Sequence, residues 1–92
     1  MDDEKIIDYV RGLTLQGKAV TVAEVAERFI WLHPNAVTAI LTRSVKHGIL
    51  SRRYSKERRK YYYVHREASE EYGKMQESLW RRFSRWLRNL FG

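Results

Sequence analysis

With 92 residues, the chain has the length of one domain with a single small core. It contains no cysteine, which excludes a disulfide framework or a thiolate metal site, and its formal net charge is +7. The charge is uneven, since residues 43–66 hold 9 basic and 1 acidic side chains, whereas residues 1–42 hold 4 basic and 6 acidic ones. Such a basic block indicates a surface for a polyanion, with an ordinary solvated charged face as the alternative.

The first predicted element is a helix that begins at the acidic residues 2–4, because carboxylates favour the positive end of a helix dipole. Gly17 predicts its end, as a residue that readily adopts the left-handed conformation. Apolar side chains at helical spacing predict its buried face: Ile6, Ile7, Val10 and Leu13.

A capping box predicts the start of a second helix. In it the Thr21 hydroxyl accepts from the Glu24 amide, and the Glu24 carboxylate accepts from the Thr21 amide. Val20 and Val25 occupy the positions of a hydrophobic staple. The apolar turn that follows contains Trp31, which we expect to pack against the core or a neighbouring helix; an exposed aromatic that meets a partner is the alternative.

A third helix is predicted from Pro34, which suits a first helical position, to Gly48, which suits a C-cap. His33 precedes it as a candidate N-cap. Its core stripe is Val37, Ile40, Leu41 and Val45. The opposite face is a candidate binding surface, with an ordinary solvated helix face as the alternative, and it carries Asn35, Thr38, Ala39, Thr42, Arg43 and Lys46.

Two antiparallel strands are predicted next, at about residues 49–54 and 60–65. The connection at 55–59 has no Gly, Asn or Asp, so we expect a longer, mobile tip and not a two-residue turn. Alternation sends the middle residue of Tyr61–Tyr63 to one face and the other two to the opposite face, with one set on the core. The hairpin holds six basic residues: Arg52, Arg53, Lys56, Arg58, Arg59 and Lys60.

The chain from about residue 66 to residue 90 is predicted to form one long helix with a nearly unbroken apolar seam. A dimerisation helix, an interfacial membrane helix, and a helix that packs on its own chain are all consistent with this pattern. We favour a homodimer, because a monomer of this size cannot easily cover so many large apolar groups. The expected interface residues are Tyr72, Met75, Leu79, Phe83, Trp86 and Leu90.

Residues 20–64 resemble the winged helix-turn-helix family of transcription regulators, MarR/ArsR-like in the broad sense. The resemblance rests on the segment Thr21–Ala26, on Val37 and Leu41 four residues apart, on Gly48–Leu50 and on the basic hairpin. The turn between the two helices lacks the family's usual Gly. The resemblance implies a small α+β domain at residues 1–65, with three helices and a β-hairpin wing, followed by the long C-terminal helix at 66–92. It also implies that the third helix lies in the major groove and that the wing tracks phosphates or places an Arg in the minor groove.

We therefore expect a sequence-specific double-stranded DNA-binding protein, acting as a homodimeric transcription regulator. The alternatives are a non-specific or architectural DNA binder, a protein-interaction winged helix, and a DNA-binding protein held at a membrane by its last helix. Base stacking on the tyrosines would instead indicate single-strand or RNA binding. The chain lacks a signal-peptide pattern and an apolar run of about 20 residues, so we expect a cytoplasmic protein.

Enzymatic activity is not expected. The three histidines, His33, His47 and His65, lack metal-ligand spacing and are expected to be caps or surface residues. No nucleophile-elbow motif and no Gly-rich phosphate loop is present in the sequence. We expect no cofactor and no small-molecule ligand.

Overall fold

The computed structural model describes residues 2–74, which form four helices and a two-stranded antiparallel sheet. The fold is a small α+β arrangement, as predicted, and its element order is compatible with a winged helix. The elements are α1 (Asp2–Leu15), α2 (Val22–Arg28), α3 (Pro34–Lys46), β1 (Leu50–Ser55), β2 (Lys60–His65) and α4, which begins at residue 66 and is helical to residue 74.

The rest of the predicted C-terminal helix lies outside the described residues. Five residues of the expected dimer interface therefore have no structural description: Met75, Leu79, Phe83, Trp86 and Leu90. Within residues 2–74, no helix combines the length and the apolar character needed to cross a membrane.

One core lies between the helices and one face of the hairpin formed by β1 and β2. The predicted stripes of α1 and α3 supply half of its buried residues, and Ile7, Leu13 and Val45 of these stripes are only partly buried. Burying each such apolar side chain contributes about 1.5–3 kcal/mol to stability, so this cluster holds the domain together. The buried apolar residues of the cluster are Ile6, Val10, Val20, Val25, Phe29, Val37, Ile40, Leu41, Leu50 and Tyr63.

Both predicted glycine stops are confirmed, and both close a Schellman motif. At the end of α1, Gly17 has φ +78°, the Gly17 amide donates to the Thr14 carbonyl at 2.9 Å and the Lys18 amide donates to the Leu13 carbonyl at 2.9 Å. Gly48 has the same φ and ends α3 in the same way. These bonds occupy carbonyls that the last helical turn leaves without partners.

The end of α1 also fixes the start of α4. The buried Thr14 hydroxyl donates to the Val10 carbonyl at 2.8 Å and accepts from the His65 amide at 2.9 Å. Nδ1 of His65 in turn accepts from the Ala68 amide at 3.2 Å and so caps α4. The ring of Tyr72 lies directly over Gly17 of its own chain, and Tyr72 is partly buried. The expected role of Tyr72 in a dimer interface stays a prediction.

The turn between α2 and α3 departs from the prediction. Trp31 is 58 % exposed and Ile30 is 80 % exposed, so Trp31 is not buried but lies at the edge of the core, with more than half of its surface in solvent. The Leu32 amide donates to the Phe29 carbonyl at 3.0 Å, which makes Ile30 and Trp31 the central residues of a turn. Central turn residues project outward, whereas Phe29 and Leu32 face the core. Trp31 makes an edge contact with the Phe29 ring, at 5.2 Å between centroids.

The hairpin register runs from Leu50 opposite His65 to Ser55 opposite Lys60. Four residues, 56–59, form the tip, so the expectation of a turn longer than two residues is confirmed. Val20 adds an isolated antiparallel bridge to Tyr63 on the other side of β2. This bridge brings the start of α2 beside the hairpin.

Candidate functional site

The outer face of α3 is a continuous exposed surface. Its core stripe points inward, and the residues between the stripe positions cover about 140° of the helix circumference at 100° per residue. The structure brings all six predicted side chains together around one shallow depression on this face: Asn35, Thr38, Ala39, Thr42, Arg43 and Lys46. We call these six residues the α3 outer face.

The N-terminal end of α3 is built by its cap. His33 accepts a hydrogen bond at Nδ1 from the Asn35 amide at 3.1 Å, which confirms His33 as the N-cap. This bond uses the backbone amide of Asn35, and the side chain of Asn35 is exposed to solvent. The Thr38 hydroxyl donates to the Pro34 carbonyl at 3.1 Å. Thr38 therefore presents to the outside a methyl group and a hydroxyl oxygen that can accept.

One acidic residue lies against the α3 outer face. Oδ2 of Asp3, in the first turn of α1, is 3.5 Å from Nη2 of Arg43, and the two side chains are 47 % and 54 % exposed. Asp3 is not among the predicted site residues. No local spacing signal could have found it, because the contact depends on how α1 crosses α3.

The basic residues of the hairpin are all exposed, as expected for a charged surface. The register pairs Arg52 with Tyr63 and Arg53 with Tyr62, which places the two neighbouring arginines on opposite faces of the hairpin. Positive charge is therefore present on both faces and at the tip. The six positions are Arg52, Arg53, Lys56, Arg58, Arg59 and Lys60.

The outer part of the hairpin's core-side face carries an aromatic pair. The rings of Tyr54 and Tyr61 are 5.0 Å apart, and Cζ of Arg52 lies 4.6 Å from the centroid of Tyr61. Alternation was predicted correctly, but only Tyr63 reaches the core, because Tyr61 lies two residues nearer the tip and is 47 % exposed. This cation–π contact favours side-chain conformations of Arg52 that keep its guanidinium over the Tyr61 ring.

Arg58 at the hairpin tip is held in two ways. Its backbone amide donates to Oγ of Ser55 at 3.4 Å, and its Nη1 donates to the phenol oxygen of Tyr62 at 3.1 Å. The hydrogen bond to Tyr62 raises the pKa of Arg58 above its ordinary value, because it stabilises the charged form. Tyr62 and Ser55 were not predicted as part of the site, since finding them requires the exact length of the turn.

The three histidines lie at the ends of helices. Residues 2–74 contain no group of three or more His, Cys, Asp or Glu side chains placed to hold a metal ion. His33 and His65 instead cap α3 and α4, each with Nδ1 as the acceptor, and His47 is exposed. In both caps the ring proton therefore lies on Nε2.

The two exposed surfaces follow each other closely along the chain, since only residues 47–49 separate α3 from β1. Together they offer amide, hydroxyl and guanidinium groups on a helix and a dense set of cations on a hairpin. Comparison of the chain with protein-family models, with curated proteins and with solved structures finds no match in any of the three.

Proposed function

We propose that this protein is a winged-helix protein that binds double-stranded DNA in a sequence-specific manner, with α3 in the major groove and the hairpin as its wing. The observation that carries the proposal is the α3 outer face. Its six exposed side chains line one shallow depression, and the cationic hairpin follows α3 directly in the chain. A helix with its side chains is about 10–12 Å wide and fits a major groove about 12 Å wide.

Three side chains on the α3 outer face suit the reading of base edges. The Asn35 carboxamide can pair with adenine through one donor and one acceptor, and the Arg43 guanidinium can pair with guanine through two donors. The methyl group of Ala39 suits contact with a thymine methyl. Each good bidentate pair discriminates against a wrong base by about 1–3 kcal/mol. Asn35 and Arg43 lie at opposite ends of α3, so they would read base pairs at separate positions.

The hairpin supplies the part of the affinity that does not depend on sequence. Its six cations would neutralise phosphates and release condensed counterions, with a salt dependence of about 0.9 per phosphate contacted on duplex DNA. Because cations occupy both faces and the tip, the hairpin can follow a phosphate backbone or enter a minor groove.

We further propose that two subunits pair through the helix that begins at residue 66, and that the dimer acts as a transcription regulator. The support is the apolar seam of the sequence, in which Tyr72, Met75, Leu79, Phe83, Trp86 and Leu90 recur at helical spacing. Two linked reading helices would bind two half-sites, and linkage increases affinity without new contacts.

Selection of bound sequences from a random duplex pool tests the proposed function. We expect enrichment of one short motif, repeated in inverted orientation at a spacing of about one helical turn, or 10 base pairs, if the protein is a dimer. Retention of the pool without enrichment would indicate an architectural binder. A protein that retains no duplex at low salt would not be a DNA-binding protein, and a protein-interaction role would replace the proposal.

A further inference from the structure

The contact between Asp3 and Arg43 joins the acidic start of α1 to the α3 outer face. Acidic residues at a helix start are favourable with the helix dipole, which explains why this turn contains Asp2, Asp3 and Glu4. The dipole does not explain why Asp3 lies 3.5 Å from Nη2 of Arg43 on another helix. Asp2 and Glu4 lie in the same first turn and also interact favourably with the dipole. The contact of Asp3 with Arg43 is therefore a separate feature, and we consider its effect on Arg43.

A carboxylate beside an arginine affects phosphate contacts and base contacts differently. To bind a phosphate, Arg43 has to exchange one anion for another, and the released Asp3 carboxylate then repels the same phosphate. A guanine edge is uncharged and offers two acceptors on one side. A guanidinium has five N–H donors, so Arg43 can contact guanine with one edge while Nη2 stays with Asp3.

With the DNA-binding function proposed above as its basis, we propose that Asp3 is a specificity-determining residue. It orients Arg43 toward base edges and weakens the contact of Arg43 with phosphates. Asp3 thus lowers the affinity for duplexes of the wrong sequence more than the affinity for the preferred site. An exposed ion pair of this kind is weak, and the effect it can exert is about fivefold.

The test compares Asp3→Asn with Asp8→Asn. Asp8 is an exposed residue of the same helix, so its substitution removes the same charge from α1 as a matched control. Dissociation constants are measured over a range of salt concentrations on the selected duplex and on a scrambled duplex of equal length. Circular dichroism checks that both variants fold.

For Asp3→Asn we expect about two- to fivefold tighter binding of the scrambled duplex, and a steeper salt dependence there by up to about 0.9, because Arg43 gains a phosphate. The selected duplex should change less, so that the ratio of the two affinities falls. Asp8→Asn should change both duplexes by the same small factor. In an Arg43→Ala background, Asp3→Asn should no longer alter the ratio.

Two negative outcomes have different meanings. If the parent protein binds neither duplex, the DNA-binding function itself is wrong, and the role of Asp3 with it. If the parent prefers the selected duplex but Asp3→Asn behaves as Asp8→Asn does, Asp3 acts only through net charge and its role in specificity is refuted.

Discussion

The phenol oxygen of Tyr62 accepts a hydrogen bond from Nη1 of Arg58 at 3.1 Å, so a residue of β2 holds the arginine at the hairpin tip. Without this contact the exposed Arg58 side chain would be free to change rotamer. A long side chain that is already oriented loses less conformational entropy when it binds. In the proposed complex with DNA, the contact would therefore orient the Arg58 charge for a phosphate.

Tyr62→Phe removes only the hydroxyl and therefore tests whether the hydrogen bond that orients Arg58 contributes to DNA binding. We expect all duplexes to bind a few-fold more weakly, at most about fivefold, because one exposed hydrogen bond contributes little. The salt slope should stay unchanged, because Arg58 keeps its charge. Tyr61→Phe is the matched control, since its ring and not its hydroxyl contacts Arg52. Equal affinity of Tyr62→Phe and the parent would show that the contact has no role in binding.

Removing the charges themselves should give a different pattern. We expect the double substitution Arg58→Ala and Arg59→Ala to weaken binding to all duplexes similarly and to reduce the salt slope by about one to two units. Titrations between low and physiological salt measure both quantities. An unchanged affinity and slope would rule out the hairpin as a phosphate clamp.

Substitutions on the α3 outer face should act on sequence preference. Asn35→Ala or Arg43→Ala should cost about 1–3 kcal/mol on the preferred site and relax the preference at one or two base pairs. Arg11→Ala, at an exposed position of α1, is the control for loss of a positive charge. Should both α3 variants keep the full preference of the parent, another element reads the bases.

The end of α1 allows a test of stability with internal controls. Gly17→Ala places a Cβ 2.6 Å from the Tyr72 hydroxyl in a backbone with φ +78°. We expect a loss of about 1–3 kcal/mol in the free energy of unfolding, measured with urea. Gly48 has the same φ, and a Cβ there meets nothing closer than 3.6 Å, so Gly48→Ala isolates the backbone cost.

Gly12→Ala should increase the free energy of unfolding, whereas Gly17→Ala should decrease it. It lies inside α1 with nothing within 4 Å of an added Cβ, so alanine should stabilise the domain by about 0.5–1 kcal/mol. If Gly17→Ala cost no more stability than Gly48→Ala, Tyr72 would not be packed on Gly17 as described.

The proposed dimer predicts that Phe83→Glu and Trp86→Glu together give a monomer, because each would place an unpaired charge in an apolar interface. DNA binding should weaken at the same time. Sedimentation of the parent and the double variant without lipid measures their oligomeric state, and sedimentation with anionic liposomes measures their binding to membranes. A parent that is monomeric at every concentration contradicts the dimer; if it also pellets with liposomes, the last helix binds membranes.

The parts of the fold that depend on local chemistry were predictable. Gly17 and Gly48 end their helices because the left-handed conformation is readily available to Gly, and His33 precedes a Pro that starts a helix. The outward position of Trp31 was not predictable from its apolar character. It follows from the hydrogen bond of the Leu32 amide to the Phe29 carbonyl, which places Trp31 in the middle of a turn.

The same distinction applies to the candidate site. Helical periodicity alone identified the α3 outer face, since one helix defines it. The contact of Arg43 with Asp3 and the hold of Tyr62 on Arg58 depend on a helix crossing and on the register of a four-residue turn. Neither feature has a signature in the spacing of residues along the chain.

Arg59 closes the hairpin tip with φ +54°, in the left-handed region where a side chain is unfavourable. Glycine or asparagine at this position would relieve the backbone and remove a positive charge in the same step. One substitution at Arg59 would therefore raise the stability of the domain and lower the positive charge of the hairpin tip together.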